Sequence, residues 1–487
     1  MKLSRLLLAA TILSVPVAAS MAQEAAGPDA SAPSAYTASP AATRAPLKSV
    51  THHDGMFGGQ AVAYDATVSE HYFRAGDGSP EAWVTTTAYV RSDVDNAAAR
   101  PVMFLFNGGP GASSSPLHMG AFGPRGRDEE ELVDNPDSIL DTVDLVFIDP
   151  VGTGYSRVFD GVEGEKFWSR TGDAAAVATV IETWLAENGR EASPRYLAGQ
   201  SYGTTRAAMI LKGQPALEFD GVLLFALVAN VEGDALQLMT AIPTMATTAY
   251  HYGVIKTRGR TIDDVYAEAV KFARTDYIEA LIQGGSISAA EKKRVAEKLS
   301  ALTGVSKEVL LEKDLKLDAT TFMFEVIKDR GLRTGLLDTR VTAERDLTKT
   351  GARDDPALPQ GGFNAPRSDE PTAIERYFTQ ELGYQTTEGQ YYGVNFEVNS
   401  AWDHEGFTNV NGAFGERMQA DSDMRLFWVG GYFDLTTPAY AARFAIDQAG
   451  VPGDRVTSAL FPGAHSVFYE EDNRAALADA VRKFVTE

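Results

Sequence analysis

The chain has 487 residues, of which 44% are hydrophobic, enough to bury the core of one large α/β domain with an insertion or of two to three smaller domains. Its net charge is −22, and so negative a field repels phosphates, which argues against partners such as nucleic acid or an anionic membrane. The absence of cysteine excludes disulfides, thiolate catalysis and cysteine-based metal sites.

The histidines are also informative about metals. The seven histidines are spread along the chain, and none forms a His-Glu-x-x-His or similar ligand pair. His52 and His53 are adjacent in a segment that is expected to be extended, so their side chains would point to opposite faces. We therefore expect neither a metal site nor a cofactor.

The first 22 residues have the pattern of a secretory signal peptide. Lys2 and Arg5 give a positive start, Leu6–Val17 is apolar, and small residues precede a cleavage site after Ala22. The apolar run is short for a membrane span, and no later stretch approaches the ~20 apolar residues that a span needs. We expect an exported protein, periplasmic or secreted, that has no membrane anchor once residues 1–22 are removed.

A linker and the first strands follow. Residues 23–48 are rich in Ala, Pro and Ser and poor in large apolar side chains, which predicts a disordered linker. From about Ser49 the pattern changes. Alternating and β-branched residues in Gln60–Val68 and Ala82–Arg91, separated by the turn-forming Gly76–Pro80, predict two antiparallel strands.

Short and almost fully apolar runs then predict central strands that helices cover on both faces. These runs are Pro101–Phe106, Val143–Ile148, the segment that ends at Gln200, Gly221–Ala229, Met424–Val429 and Val456–Phe461. Helical spacing marks Asp173–Asn188 between two of them and Asn473–Val485 at the end of the chain. Strands that alternate with helices predict a mostly parallel, doubly wound sheet.

Between residues 232 and 393 the strand pattern disappears. Helical periodicity marks Thr261–Gln283, Ser288–Leu302, Glu308–Lys328 and Pro371–Leu382, and the Pro- and Gly-rich stretch Asp346–Arg367 is expected to be an exposed loop. We interpret this region as a helical cap over the carboxyl edge of the sheet. The prediction is an α/β-hydrolase fold whose core comprises residues 49–231 and 394–487, with a cap insertion at 232–393.

The motif Gly199-Gln200-Ser201-Tyr202-Gly203 lies between an apolar segment and a helix-forming run. That is the layout of a nucleophile elbow, a strained strand-to-helix turn where side chains flanking the serine would collide with neighbouring backbone. Alone the pattern is weak, because an ordinary glycine-bounded loop gives the same letters. Ser201 needs partners elsewhere in the chain.

Asp434 and His465 are candidate partners, each just past a predicted late strand and in the order Ser, Asp, His that this fold requires. Either residue alone would more simply be a turn, cap or structural residue. Together they predict a triad in which His465 takes the proton of Ser201 and Asp434 orients the imidazole. The amide of Tyr202 and the loop Asn107–Gly111 would supply the oxyanion hole.

The motif set resembles that of the serine carboxypeptidases. The resemblance rests on Phe106-Asn-Gly-Gly-Pro-Gly-Ala-Ser-Ser114, Phe147-Ile-Asp-Pro-Val-Gly-Thr-Gly-Tyr-Ser156, Gly199-Gln-Ser-Tyr-Gly203 and Gly463-Ala-His465. It implies that Gly109 and Tyr202 donate the oxyanion amides, and that Asn107, with Gly108 and Gln200, binds the C-terminal carboxylate of a peptide. The implied activity is a serine-type carboxypeptidase that works through an acyl-enzyme and uses no cofactor.

Three positions depart from the family pattern. Gln200 and Ala121 replace two glutamates that the family uses on the substrate carboxylate, and Ala112 replaces a cysteine, so the family's disulfides are absent. Gln200 can donate its amide hydrogens at any pH, whereas Ala121 has no donor. Arg125 and Arg206 are candidates to replace the lost contacts. The alternative for each arginine is a surface ion pair or a charge on a helix face.

Because of these departures, other functions stay open. The chain could be an esterase or acyltransferase, or an aminopeptidase of the proline-iminopeptidase type, although that type usually carries histidine where this chain has Asn107. A catalytically silent binding module would not need all three members of the triad. If Gln200 replaces an ionisable group, activity should follow deprotonation of His465 and persist at neutral to mildly alkaline pH.

Overall fold

The structure is a computed structural model that describes residues 45–128, 131–351, 354–358, 370–387, 389–406 and 409–487. The predicted signal peptide, nearly all of the predicted linker and much of the predicted loop at 346–367 lie outside the described residues. Within the described ranges, no helix is both long and apolar enough to cross a membrane.

The strands are β1 (Lys48–Phe57), β2 (Gln60–Arg74), β3 (Pro80–Arg91), β4 (Val102–Phe106), β5 (Arg125–Asp128), β6 (Glu131–Asp134), β7 (Asp144–Asp149), β8 (Arg157–Val158), β9 (Arg195–Gln200), β10 (Gly221–Phe225), β11 (Leu332–Thr334), β12 (Thr342–Glu344), β13 (Arg425–Gly431) and β14 (Val456–Phe461). In the described part of the chain, ten of them form one sheet in the order β1-β2-β3-β7-β4-β9-β10-β13-β14, with β8 beside β3. The run from β7 to β14 is parallel, as the sequence predicted. Strands β1, β2 and β3 are antiparallel; β2 and β3 were predicted, whereas β1 was not.

The α-helices are α1 (Ser115–Leu117), α2 (Arg170–Glu187), α3 (Tyr202–Gly213), α4 (Asp234–His251), α5 (Ile262–Phe272), α6 (Ile278–Gln283), α7 (Ala289–Thr303), α8 (Lys307–Glu312), α9 (Ala319–Glu325), α10 (Ala373–Arg376), α11 (Phe396–Ala401), α12 (Gly412–Ala420), α13 (Ala439–Gln448) and α14 (Glu471–Thr486). Short 3₁₀ turns lie at Ala97–Ala99, Gly164–Lys166, Gly284–Ser286, Lys328–Arg330, Gly453–Arg455 and Val467–Tyr469, and π-helical turns at His118–Phe122, Ala273–Tyr277 and Tyr377–Glu381.

The parallel strands are buried because both faces of the sheet are covered. Every residue of β4, β7 and β10 is buried, and their side chains enter two separate apolar clusters, one on each face. Helices α2, α3, α12 and α13 contribute to one cluster, and α14 contributes to the other. The nearly continuous apolar runs of the sequence reflect this double coverage.

The region between residues 232 and 393 is mostly helical, but two expectations there are wrong. Strands β11 and β12 form an antiparallel pair where no strand was predicted, because three-residue strands are too short to show alternation. The helix expected over Glu308–Lys328 is interrupted between α8 and α9, where Asp314 and Leu315 adopt positive φ values of 52° and 66°. A helix cannot continue through that conformation.

The same region packs in two places. Residues from Met239 to Leu336 form a third apolar cluster that also includes Leu435 and Tyr440. In contrast, Tyr377 and other aromatic residues up to position 391 pack against the sheet, in the apolar cluster that also includes Tyr64 of β2 and Tyr89 of β3. The insertion therefore contacts both the helical layer and the sheet.

Candidate active site

Ser201 sits on a sharp turn between β9 and α3. Its φ of 57° and ψ of −129° are a sparsely populated conformation for a residue with a side chain, held by the hydrogen bond from Ser201 N to Phe225 O at 2.9 Å. A Cβ on Gly199 would lie 2.3 Å from Gly203 O, and one on Gly203 would lie 2.9 Å from Phe106 O. Because neighbouring backbone lies this close, both positions require glycine, as the elbow motif predicted.

Asp434 and His465 meet on the loops that follow β13 and β14. His465 Nδ1 lies 2.8 Å from Asp434 Oδ2. The Asp434 carboxylate is fully buried, and its Oδ1 accepts bonds of 2.9 Å from the backbone N–H groups of Thr436 and Thr437. The Thr437 hydroxyl donates to Oδ2. These donors fix the carboxylate and, through it, the plane of the imidazole.

The surroundings of His465 stabilise its protonated form. Burial lowers the pKa of His465, but the charge and hydrogen bond of Asp434 raise it, as does the charge of Asp355, and the net pKa lies above the usual 6.5. An imidazole in this setting can accept a proton and hold it as imidazolium beside a carboxylate. In the described residues no hydrogen bond joins the Ser201 hydroxyl to His465, a contact that often tightens only when substrate is bound.

Gln200 connects the elbow to the histidine loop. Its side chain is 2% exposed, and Nε2 donates to His465 O at 3.2 Å and to Ser466 Oγ at 2.8 Å. Its Oε1 accepts a hydrogen bond from Asn107 Nδ2, and Asn107 Oδ1 accepts one from Leu117 N at 3.2 Å. The two side chains that the resemblance assigned to substrate binding are thus buried and engaged within the protein. A substrate carboxylate could bind Gln200 only by displacing these bonds.

The loop Asn107–Gly111, which we call the oxyanion loop, lies directly against the elbow. A Cβ on Gly108 would be 2.3 Å from Tyr202 N and 2.7 Å from Gly203 N, so only glycine fits there. Gly109 has a φ of 95°, which also favours glycine. Among the described residues, the N–H groups of Gly109 and Tyr202 have no acceptor, which leaves both available for an oxyanion.

What holds this loop from the other side was not predicted from the sequence. Asn395 N donates to Gly111 O at 2.7 Å, and Asn399 Nδ2 donates to Pro110 O at 2.9 Å. The nucleophile's neighbour Tyr202 packs edge-on against Trp402, with ring centroids 5.3 Å apart. Helix α11 and its flanks therefore brace the oxyanion loop. The one signal in the sequence was the helix-capping asparagine at 395.

The two candidate arginines have different environments, and neither is free. Arg206 is 1% exposed, so the expectation of a surface pair is wrong; its Nε lies 2.6 Å from Asp173 Oδ2, and Nη1 donates to Asn107 O. From the elbow helix α3, it anchors the loop that begins at Asn107. Arg125 instead pairs with Asp134 across the β5–β6 hairpin and with Glu381 at 3.0 Å, as the alternative interpretation expected.

Part of the chain matches known proteins. Residues 88–232 match the family model of the serine carboxypeptidases, a region that includes the oxyanion loop and the elbow. Serine carboxypeptidase-like 21 of Arabidopsis thaliana is 29% identical over 149 residues, which are 26% of this chain and 29% of that protein. The chain thus spans less than a third of the length of this curated relative.

A solved structure shows the fold over a longer range. A prohormone-processing carboxypeptidase from Saccharomyces cerevisiae superposes with a TM-score of 0.55 at 14% identity and covers 87% of this chain and 91% of its own. The likeness confirms the predicted α/β-hydrolase fold, with a mostly parallel central sheet between helices.

Proposed function

We propose that this chain is a member of the serine carboxypeptidase family and acts as a serine-type carboxypeptidase that removes C-terminal residues from peptides. The observation that carries the proposal is the Asp434–His465 hydrogen bond of 2.8 Å, beside an elbow serine whose predecessor is bonded to the histidine loop. With the N–H groups of Gly109 and Tyr202, for which the described residues offer no acceptor, the set contains a candidate nucleophile, base, orienting acid and oxyanion site.

In the proposed reaction, Ser201 Oγ attacks the carbonyl carbon of the scissile peptide bond and His465 Nε2 takes its proton. The oxygen of the tetrahedral intermediate accepts hydrogen bonds from the amides of Gly109 and Tyr202. His465 then gives the proton to the leaving amine, which departs with the C-terminal residue and leaves an ester on Ser201. Water, deprotonated by His465, hydrolyses this ester, and the proton returns to Ser201.

Asp434 contributes mainly when His465 is protonated. Its buried carboxylate faces Nδ1, so the ring carries its proton there and presents Nε2 to the serine. The developing imidazolium is stabilised by this charge in a buried site. The raised pKa of His465 is the equilibrium expression of that stabilisation.

A second candidate function, esterase or acyltransferase, is favoured by one observation. The amide hydrogens of Gln200 are donated to His465 O and Ser466 Oγ, and Ala121 is fully buried and has no donor. Recognition of a free carboxylate would therefore need other donors. An activity that ignores the C-terminal carboxylate would need none.

The decisive experiment compares N-blocked dipeptides that differ only at the C-terminus, as free acid, amide or ester, with products read by mass spectrometry. A carboxypeptidase should prefer the free acid over the amide, whereas an esterase should cleave the ester regardless of the carboxylate. Free-amine substrates test for aminopeptidase activity. Labelling with a fluorophosphonate should modify Ser201, and Ser201→Ala should abolish labelling and turnover. Ser286→Ala, an exposed serine of the insertion, is the matched control.

Export is part of the proposal. The charged start, apolar run and small-residue cleavage site in residues 1–22 support it. Export can be tested by expressing the full chain and sequencing the N-terminus of the product, since a processed protein should begin at Gln23.

A further inference from the structure

A segment of the insertion, Leu336–Arg340, connects the two loops that carry Asp434 and His465; we call it the strap. It follows β11 and lies far from the triad in sequence. Three backbone hydrogen bonds join it to the catalytic loops: Leu435 N to Leu336 O at 2.9 Å, His465 N to Leu337 O at 3.0 Å, and Thr339 N to Phe433 O at 3.0 Å. The strap is thus bonded to the backbone of His465 itself and to the backbone of Phe433 and Leu435, the two neighbours of Asp434.

The side chain of Arg340 adds contacts to the histidine loop. Nη1 donates to Pro462 O at 3.3 Å, and Nη2 pairs with Glu470, beyond His465 in the chain, and with Asp338 at 2.7 Å. The guanidinium also lies over the Phe433 ring, 4.9 Å from its centroid. The strap is therefore fixed to the segments on both sides of the base.

Asp355 holds the strap from behind. The residue is 6% exposed, and its carboxylate accepts hydrogen bonds from Leu336 N at 3.1 Å and Leu337 N at 2.9 Å. It also accepts one from Ala357 N at 2.9 Å, which ties its own loop to the strap. A Cβ on Gly335 would lie 2.7 Å from Asp355 Oδ1, so the approach is close. Leu336 and Leu337 accept hydrogen bonds from the catalytic loops through their carbonyl oxygens, and both donate their N–H groups to the buried carboxylate of Asp355.

We propose that Asp355 is a positioning residue of the active site, which fixes the strap and through it the loops of Asp434 and His465. The proposal rests on the proposed function, because it takes those residues as the acid and base of a triad. A flexible strap would let the imidazole leave the geometry needed for proton transfer, and small displacements of a base are costly in rate. Substrate does not need to touch Asp355 for this effect.

Asp355 also acts on the base through its charge. Asp434 and Asp355 are the carboxylates that raise the pKa of His465 against the effect of burial. Of the other charged groups packed around the histidine loop, Arg340 is paired with both Asp338 and Glu470. Removal of the Asp355 charge should therefore make the imidazolium of His465 less stable.

The first test is Asp355→Asn, which keeps the shape and one acceptor oxygen but removes the charge. We expect kcat to fall about 3- to 10-fold with KM within about twofold of wild type. The acid limb of the kcat/KM–pH profile should move to lower pH, which a merely structural role would not cause. The matched control is Asp318→Asn, whose carboxylate accepts Thr321 N at 2.7 Å in the same insertion but does not act on His465. It should change neither quantity.

The second test covers the case in which Asp355→Asn does not fold. Arg340→Gln removes the strap's side-chain bonds and should lower kcat without raising KM. Arg345→Gln, which breaks a 3.1 Å pair with Glu325 elsewhere in the insertion, should not. The proposal would be overturned if the Asp355 and Arg340 variants had the same kcat, and the same acid limb of the kcat/KM–pH profile, as their controls. If wild-type Ser201 is not labelled by fluorophosphonate, the proposed function fails instead, so the two failures are distinguishable.

Discussion

Replacement of Arg206 by methionine tests whether the buried ion pair beneath the elbow holds the site together. The Arg206 and Asp173 side chains are 0% and 3% exposed, with Nε and Oδ2 2.6 Å apart. Methionine fills much of the same space but leaves the Asp173 carboxylate buried without a counter-charge, and Asn107 O loses a donor. Removal of one partner of a buried pair costs about 3–5 kcal/mol, and the lost hydrogen bond adds about 1 kcal/mol.

We therefore expect the free energy of unfolding of Arg206→Met to fall by about 4–6 kcal/mol at neutral pH. The deficit should shrink in acid. Burial raises the pKa of Asp173 and Arg206 lowers it, so in the variant the folded-state pKa rises further above the unfolded value. The folded variant then binds a proton that the unfolded chain does not, and its stability increases as pH falls through that raised pKa.

The assay is urea unfolding followed by tryptophan fluorescence at several pH values, with kcat measured on the same samples. The double variant Asp173→Leu with Arg206→Met should recover most of the stability, because no charge is left buried. Arg345→Met, which breaks a more exposed pair, should cost less than about 1 kcal/mol. A loss below about 1 kcal/mol for Arg206→Met, or no recovery in the double variant, would refute the reasoning.

Three further predictions concern the catalytic residues. In Gly108→Ala the new Cβ would lie 2.3 Å from Tyr202 N, so kcat on an ester should fall by about 10²–10³-fold. Thermal unfolding should show that the variant is folded. A wild-type kcat would mean that the Tyr202 amide is not an oxyanion donor. In Gln200→Glu the ionised carboxylate cannot donate to His465 O, so kcat relative to wild type should drop about tenfold at neutral pH and recover as acid protonates the side chain; a pH-independent ratio would contradict this. For the wild type, kcat/KM should rise with pH through the raised pKa of His465 and stay high in mildly alkaline solution, and a maximum well below 6.5 would be inconsistent with a histidine base.

The sequence by itself determined the features that depend on short stretches of chain. The apolar runs of β4, β7 and β10 predicted central strands because a strand covered on both faces needs apolar side chains throughout. The elbow was predicted from its glycines, since their lack of a Cβ is what lets Gly199 and Gly203 approach neighbouring backbone. Ser201, Asp434 and His465 were predicted to form a triad because each follows a predicted strand, in the order that the fold requires.

Tertiary structure decided what the buried polar side chains do. The sequence shows that Gln200 can donate, but its acceptor on His465 is 265 residues away, and only the packed sheet brings the two together. The same holds for Arg206, which became a buried anchor of the oxyanion loop, and for the strap, which lies between the short strands β11 and β12, where the sequence carries no periodic signal. The physical reason is that hydrogen-bond donors and acceptors are chosen by proximity in the fold, whereas hydrophobic periodicity is written along the chain.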